Sequence, residues 1–195
     1  MKGIIKYKNM PTEQEIKEEL KRLKYRNNYV RTLKSTFLTL ISIIAAFLLI
    51  STLVLPVFRT YGNAMDPTLK EGQLVAVLRT DKVKSGDIIC FYYNNKVLIK
   101  RVIAVGGDTV NIDWNGNVSV NDIAIEEPYV TKKAFGDCNI SFPFKVPQGK
   151  VFVMGDNRSV SVDSRHTEVG CISQEQIVGR LILRIWPLKD FSVIK

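Results

Sequence analysis

The run from Ser35 to Phe58 (STFLTLISIIAAFLLISTLVLPVF) holds 24 residues without a charge, and no other stretch constrains the fold so tightly. At 1.5 Å per residue, an α-helix needs roughly 20 apolar residues to cross the hydrocarbon core of a bilayer. The run supplies them with some to spare. Core helices of soluble proteins and signal peptides carry apolar runs too. This one is longer than the roughly 7–15 residues of a signal-peptide core, and no small-x-small cleavage site follows it closely. A retained single-pass membrane anchor is expected. Residues 1–34 carry ten Lys/Arg and four Glu, a net of +6 out of the chain's +9. By the positive-inside rule the N-terminus stays in the cytoplasm and the cell-membrane protein exposes residues 59–195 outside. The basic charge thus sits where anionic lipid head groups lie, so a pI near 9.5 requires no nucleic-acid partner.

Three segments follow: a cytoplasmic basic segment (1–34), a transmembrane helix (35–58) and an extracytoplasmic domain (59–195). Within the first, Thr12-Glu13-Gln14-Glu15 has the form of a capping box. Ile16, Leu20 and Leu23 then recur at helical spacing, which predicts a short amphipathic helix, lying on the inner leaflet or simply solvated. After Phe58 the texture changes to short runs rich in Val, Ile and aromatics: QLVAVL (73–78), DIICFYY (87–93), KVLIKRVIAV (96–105), TVNID (109–113), KVFVMG (150–155) and IVGRLILRIWPL (177–188). Asn115-Gly116 between TVNID and NVSVN signals a two-residue hairpin turn. The fold class expected is mostly β, a coiled antiparallel or barrel-like sheet domain behind one N-terminal transmembrane helix. Cys90, Cys138 and Cys171 form no CxxC pair. They read as free thiols, with one bridge possible outside the cell, and neither a metal nor a cofactor is expected.

Three stretches combine special backbone residues with reactive side chains. GNAMDPTLKEG (62–72) is bent by Gly62, Pro67 and Gly72, carries Met65 and Leu69 as apolar anchors, and has Ala64 where a nucleophile would be sought. LIKRVIAVGGD (98–108) places Lys100 and Arg101 inside an apolar strand, where neighbours point to opposite faces. One of them turns inward, or both snorkel at a sheet edge; an inward lysine loses water, its pKa falls, and it becomes usable as a base. GDNRSVSVDSRHTEVG (155–170) gathers Asp156, Asn157, Arg158, Ser161, Asp163, Ser164, Arg165 and His166. A Ser-His-Asp triad is disfavoured because such groups converge from separate segments, and His166 reads as a surface loop residue.

Together with the anchor, GNAMDPTL, GDIICF, KRVIAVGGD and GDNRSVSVDSR resemble, in order, the motifs of the type I signal peptidases. These are the membrane-bound Ser/Lys proteases that release secreted preproteins, and the likeness covers most of residues 35–188. One N-terminal anchor and a compact outer domain are similar to the Gram-positive form. The resemblance implies that residue 64 is the nucleophile's seat, serine in the family and Ala64 here. It implies that Lys100 is the general base, that Ser161 orients it, and that the Asp163 and Arg165 pair supports the site. Ser164, Asp156, Asn157 and Arg158 fall in the same loop. Gly62, Met65 and Pro67 fall in the substrate and oxyanion loop, where Gly62 offers no second oxyanion hydroxyl. The partners implied are the bilayer and secreted preproteins with Ala-x-Ala-like cleavage sites; the oligomeric state stays open.

Ala64 removes Oγ while keeping the backbone N–H. Loss of a protease nucleophile costs on the order of a million-fold in turnover while binding can survive. Neither Ser161 nor Thr68 is placed to substitute. The chain is therefore expected to be an inactive or nearly inactive form of a serine endopeptidase, with the serine recently or deliberately lost. The alternative is a natural pseudo-peptidase that binds or assembles secreted or surface-fibre proteins. Retention of an amine in a costly apolar site favours the former. A related Ser/Lys self-cleaving regulator is disfavoured by the anchor.

Overall fold

The computed structural model describes residues 11–80 and 82–194, with the backbone alone described at 50 and 52–54; residues 1–10, part of the basic segment, lie outside the described residues. Packing divides the chain after Ile50 into two units.

A single helix, α1, runs from Glu13 to Val54. It begins at the capping box: the Thr12 N–H donates to Glu15 Oε2 at 2.7 Å, and the Glu15 N–H reaches Thr12 Oγ1 at 3.5 Å. The short amphipathic helix and the apolar run expected as separate segments are continuous. Nothing between them breaks a helix, since Asn27-Asn28 costs far less than Gly or Pro would. Thr32, Thr36, Thr39 and Ser42 turn their hydroxyls onto the carbonyls four residues back, which satisfies them inside an apolar stretch. Pro56 ends the helix, because the residue before a proline is driven out of the α region. The helix is long and apolar enough to cross a membrane.

Apart from the end of α1 and two short 3-10 turns (Gln174–Gln176 and Leu188–Asp190), the second unit is built of β-strands. Its strands are β1 (Val57–Arg59), β2 (Leu74–Leu78), β3 (Ile88–Tyr93), β4 (Lys96–Val105), β5 (Thr109–Ile112), β6 (Val118–Val120), β7 (Ile123–Ala124), β8 (Phe144–Lys145), β9 (Lys150–Met154), β10 (Ile172–Ser173), β11 (Ile177–Trp186) and β12 (Ser192–Val193). One sheet has the order β1-β2-β11-β3-β4-β9-β10, with β12 on β11; a smaller sheet has the order β7-β6-β5-β8. Every pairing is antiparallel, as expected. Register shifts in β11 and β4 add twist, which coils the larger sheet without closing it into a barrel.

Between the sheets Val110, Ile112 and Val118 pack on Ile103, Phe152 and Met154. A second cluster buries Met65 and Leu69 against Val75, Val77, Ile88, Cys90 and Leu181, so the loop after β1 is fastened to the sheet by its own apolar side chains. Cys90, Cys138 and Cys171 are all free thiols. One local reading is corrected. The β5–β6 hairpin forms, but its loop is the three residues Trp114-Asn115-Gly116 rather than a two-residue turn. Gly116 N–H donates to Asp113 O at 2.8 Å and Asp113 N–H to Asn117 O at 3.0 Å, with Gly116 at φ 80°. Asp113 Oδ1 accepts the Asn115 and Asn117 N–H groups, which favours the longer loop over the tight turn.

Candidate active site

Strand β4 positions Lys100. It pairs with β3 over Lys96–Arg101, Tyr93 opposite Lys96 through Ile88 opposite Arg101, whereas β9 joins its other side only from Arg101 onward. The half from Lys96 to Lys100 therefore has a free edge among the described residues. That edge lines a cleft of about 630 Å³ together with β1 and residues 60–65.

Lys100 is 4% exposed, and its Nζ donates to Ser161 Oγ at 2.7 Å. Burial pushes its pKa down to about 8. The Asp163 charge opposes this, the Arg165 charge adds to it, and Asp156 opposes it more weakly. Arg101 is equally buried, so neither side chain snorkels at an edge. The two side chains take different partners. Arg101 Nε and Nη2 donate to the two oxygens of Asp156 at 2.9 and 2.8 Å, and Nη1 donates to Gly86 O.

Residue 64 approaches from the other side of the cleft. Asn157 donates its N–H to Ala64 O at 3.0 Å and its Nδ2 to Asn63 O at 3.1 Å. Thr68 Oγ1 donates to Asp156 Oδ2 at 2.5 Å. Gly62, Ala64 and Met65 line the cleft; Pro67 follows a cis bond from Asp66 in the turn below it. Gly155 is the meeting point. A Cβ there would overlap both Ser161 Oγ and Ala64 O, so these two groups approach each other across a residue that must be glycine.

The remaining loop residues hold this arrangement from behind. Arg165 pairs with Asp163 through Nε and Nη2 at 2.8 and 2.9 Å, and donates to the carbonyls of Phe135, Arg158 and Ser161. Asp163 in turn accepts the Gly155 N–H at 2.9 Å. Its burial favours the neutral acid, but the Arg165 hydrogen bond and charge outweigh that and keep its pKa low. Ser164 accepts the Val153 N–H and donates to Gly170 O, stitching the loop to β9. Arg158 donates Nε to Gly155 O and forms a fully buried pair with Glu127. His166 is half-buried rather than on the surface. Its Nε2 lies 3.1 Å from Asp137 Oδ2, because the chain turns inward at Arg165 and carries the neighbouring ring with it.

Three arginine–carboxylate pairs are thus neutralised beneath the cleft, while Lys100 bonds a hydroxyl. A buried amine with a lowered pKa can take a proton from a neighbouring hydroxyl. Ala64, whose side chain is a methyl group, lines the same cleft as Lys100. Reading the motifs had not marked Gly155, Glu127 or Tyr129 as part of the site, although Gly155 opens the GDNR motif.

The family described as signal peptidase, peptidase S26, matches residues 33–186. Signal peptidase IB of Staphylococcus aureus is 36% identical over 177 residues, covering 78% of this chain and 91% of the relative. Signal peptidase I of Bacillus caldolyticus is 36% identical over 166 residues, covering 75% and 90%. A crystal structure of a signal peptidase I from Enterococcus faecalis aligns with a TM-score of 0.44 at 28% identity, covering 51% of this chain and 97% of that one. With the family matched over residues 33–186 and both sequence relatives spanned nearly end to end, the chain belongs to the type I signal peptidases.

Proposed function

We propose that this chain is a membrane-anchored signal peptidase I scaffold, built for Ser/Lys-dyad hydrolysis and inactive because residue 64 is alanine. The observation that carries the reading is the Lys100 amine, buried, held on Ser161 Oγ at 2.7 Å and lining the same cleft as Ala64. With a serine at 64, neutral Lys100 takes the hydroxyl proton as Oγ attacks the scissile carbonyl. The residue 64 N–H helps hold the oxyanion. The Lys100 ammonium then gives its proton to the departing amine, and water, activated by the same amine, releases the acyl group. Ser161 fixes the amine, and the Asp163–Arg165 pair fixes Ser161's loop. Gly62 supplies no hydroxyl, so any second oxyanion donor comes from elsewhere.

The substrate is an extended segment with Ala-x-Ala-like side chains. It adds along the free Lys96–Lys100 edge of β4, where backbone hydrogen bonds set its register. The basic segment keeps the N-terminus in the cytoplasm, and α1 crosses the membrane once, so the β unit faces outward, where preproteins emerge.

Ala64 itself favours a second reading, a natural pseudo-peptidase that holds secreted or surface-fibre proteins in this cleft without cutting them. Restoring the hydroxyl separates the two. Ala64→Ser in detergent, assayed on a preprotein, gains cleavage that Lys100→Ala abolishes. A folded Ala64→Ser protein that cuts no preprotein removes the peptidase reading.

A further inference from the structure

The segment between β7 and β8 contributes two side chains to the site from outside every motif described above. Tyr129 lays its ring over the Arg101 guanidinium, whose central carbon is 3.8 Å from the ring centroid. Arg101 is 4% exposed while Tyr129 is half-buried, so the ring stands between the Arg101–Asp156 pair and water. The Tyr129 hydroxyl donates to Glu127 Oε1 at 3.4 Å, and Glu127 pairs with Arg158. The phenol remains neutral, since burial pushes its pKa up to about 12.

What the ring protects is a junction. Asp156 accepts from Arg101 on β4 and from Thr68 in the residue 64 loop, and it belongs to the loop that carries Ser161. One carboxylate therefore ties together the three segments that carry Ala64, Lys100 and Ser161. A guanidinium held on an aromatic face and a carboxylate at once has little freedom to swing away.

We propose that Tyr129 is a positioning residue: its ring pins Arg101 on Asp156 and thereby holds the residue 64 loop in register with Lys100 and Ser161. The proposal rests on the reading of Lys100 as the base. The charged groups acting on Lys100 are Asp163, Arg165 and Asp156, all from the 155–170 loop, with Arg101 beside it on β4. Releasing Arg101 leaves the Asp156 charge less compensated and lets water in. Both effects favour the protonated amine, so the neutral fraction of the base falls as its alignment loosens.

The test uses the full chain in detergent with Tyr129→Phe, Tyr129→Leu and Tyr129→Met. Tyr129→Met keeps side-chain bulk without an aromatic face, and it keeps the test standing if Tyr129→Leu does not fold. In the Ala64 chain, the titration midpoint of Lys100 is read from the pH dependence of its acylation, which needs no activity. In the Ala64→Ser background, kcat and KM are measured on a preprotein. Tyr129→Leu and Tyr129→Met raise the midpoint and lower kcat at pH 7 on the order of tenfold, with KM held within about twofold. Tyr129→Phe keeps both near the parent values. A midpoint and kcat unchanged in the folded Leu or Met variant overturn the proposal, and so does a Phe variant as impaired as Leu. If Ala64→Ser cuts nothing, the base reading fails separately, and the Lys100 titration still decides whether Tyr129 controls its surroundings.

Discussion

Restoring the hydroxyl at residue 64 makes the environment of Lys100 readable as a pH profile. The perturbation is Ala64→Ser, with Ala64→Ser plus Lys100→Ala as background. Burial sets the Lys100 pKa at about 8. At that value the amine is neutral in about one molecule in eleven at pH 7, in half at pH 8 and in about ten in eleven at pH 9. If neutral Lys100 is the base, kcat/KM follows that fraction, because this ratio reports the free enzyme's ionisations. It should rise about fivefold from pH 7 to pH 8, less than about twofold from pH 8 to pH 9, and then level off. A solvated lysine near 10.5 would instead give close to a tenfold rise for each pH unit across that range. The assay is initial-rate cleavage of a preprotein in detergent, with binding measured in parallel on the Ala64 chain to remove pH effects on affinity. A tenfold-per-unit climb through pH 9 refutes the reasoning about burial. A flat profile, or activity that survives Lys100→Ala, refutes the assignment of the base.

Other consequences can be measured on the chain as it stands. The folded Lys100 pKa lies below the unfolded value, so the unfolded chain binds more protons between about pH 8 and pH 10.5, and stability rises with pH across that window. Lys100→Met removes that liability and should stabilise the β unit on the order of 1–3 kcal/mol at pH 7, an advantage that shrinks toward pH 10 in thermal melts. Gly155→Ala forces a methyl onto Ser161 Oγ and Ala64 O, which should cost about 1–3 kcal/mol and leave the Ala64→Ser background without cleavage. Glu127→Ala strands the buried Arg158 charge, for an expected loss of about 3–5 kcal/mol seen as a lower melting temperature.

Much of the site was legible before any coordinates because its groups sit in short segments whose residue types carry their own chemistry. A Lys-Arg pair inside KVLIKRVIAV stands out because charge is rare in an apolar strand, and Gly62, Pro67 and Gly72 mark the bent loop around Ala64, whose role as a nucleophile's seat is implied only by the resemblance to the family. Short runs rich in Val, Ile and aromatics likewise placed β2, β3, β4 and β9 to within a residue or two, since strand preference is a local property. The capping box at Thr12 was equally local.

Tertiary structure alone decided the partners. Arg101 and Asp156 are 55 positions apart, Thr68 and Asp156 are 88 apart, and Glu127 and Arg158 are 31 apart. No periodicity links such positions, because they meet only after the sheet has coiled and the loops have crossed it. The same holds for Lys100 and Arg101. Their alternation along β4 was predictable, but both are buried among groups from other segments, Ser161 for Lys100 and Asp156 with the Tyr129 ring for Arg101. The sequence by itself determined the ordered motifs that resemble the family and the alanine at residue 64. Packing determined that Lys100 is dry and its pKa lowered, since desolvation belongs to the assembled structure and not to any segment of the chain.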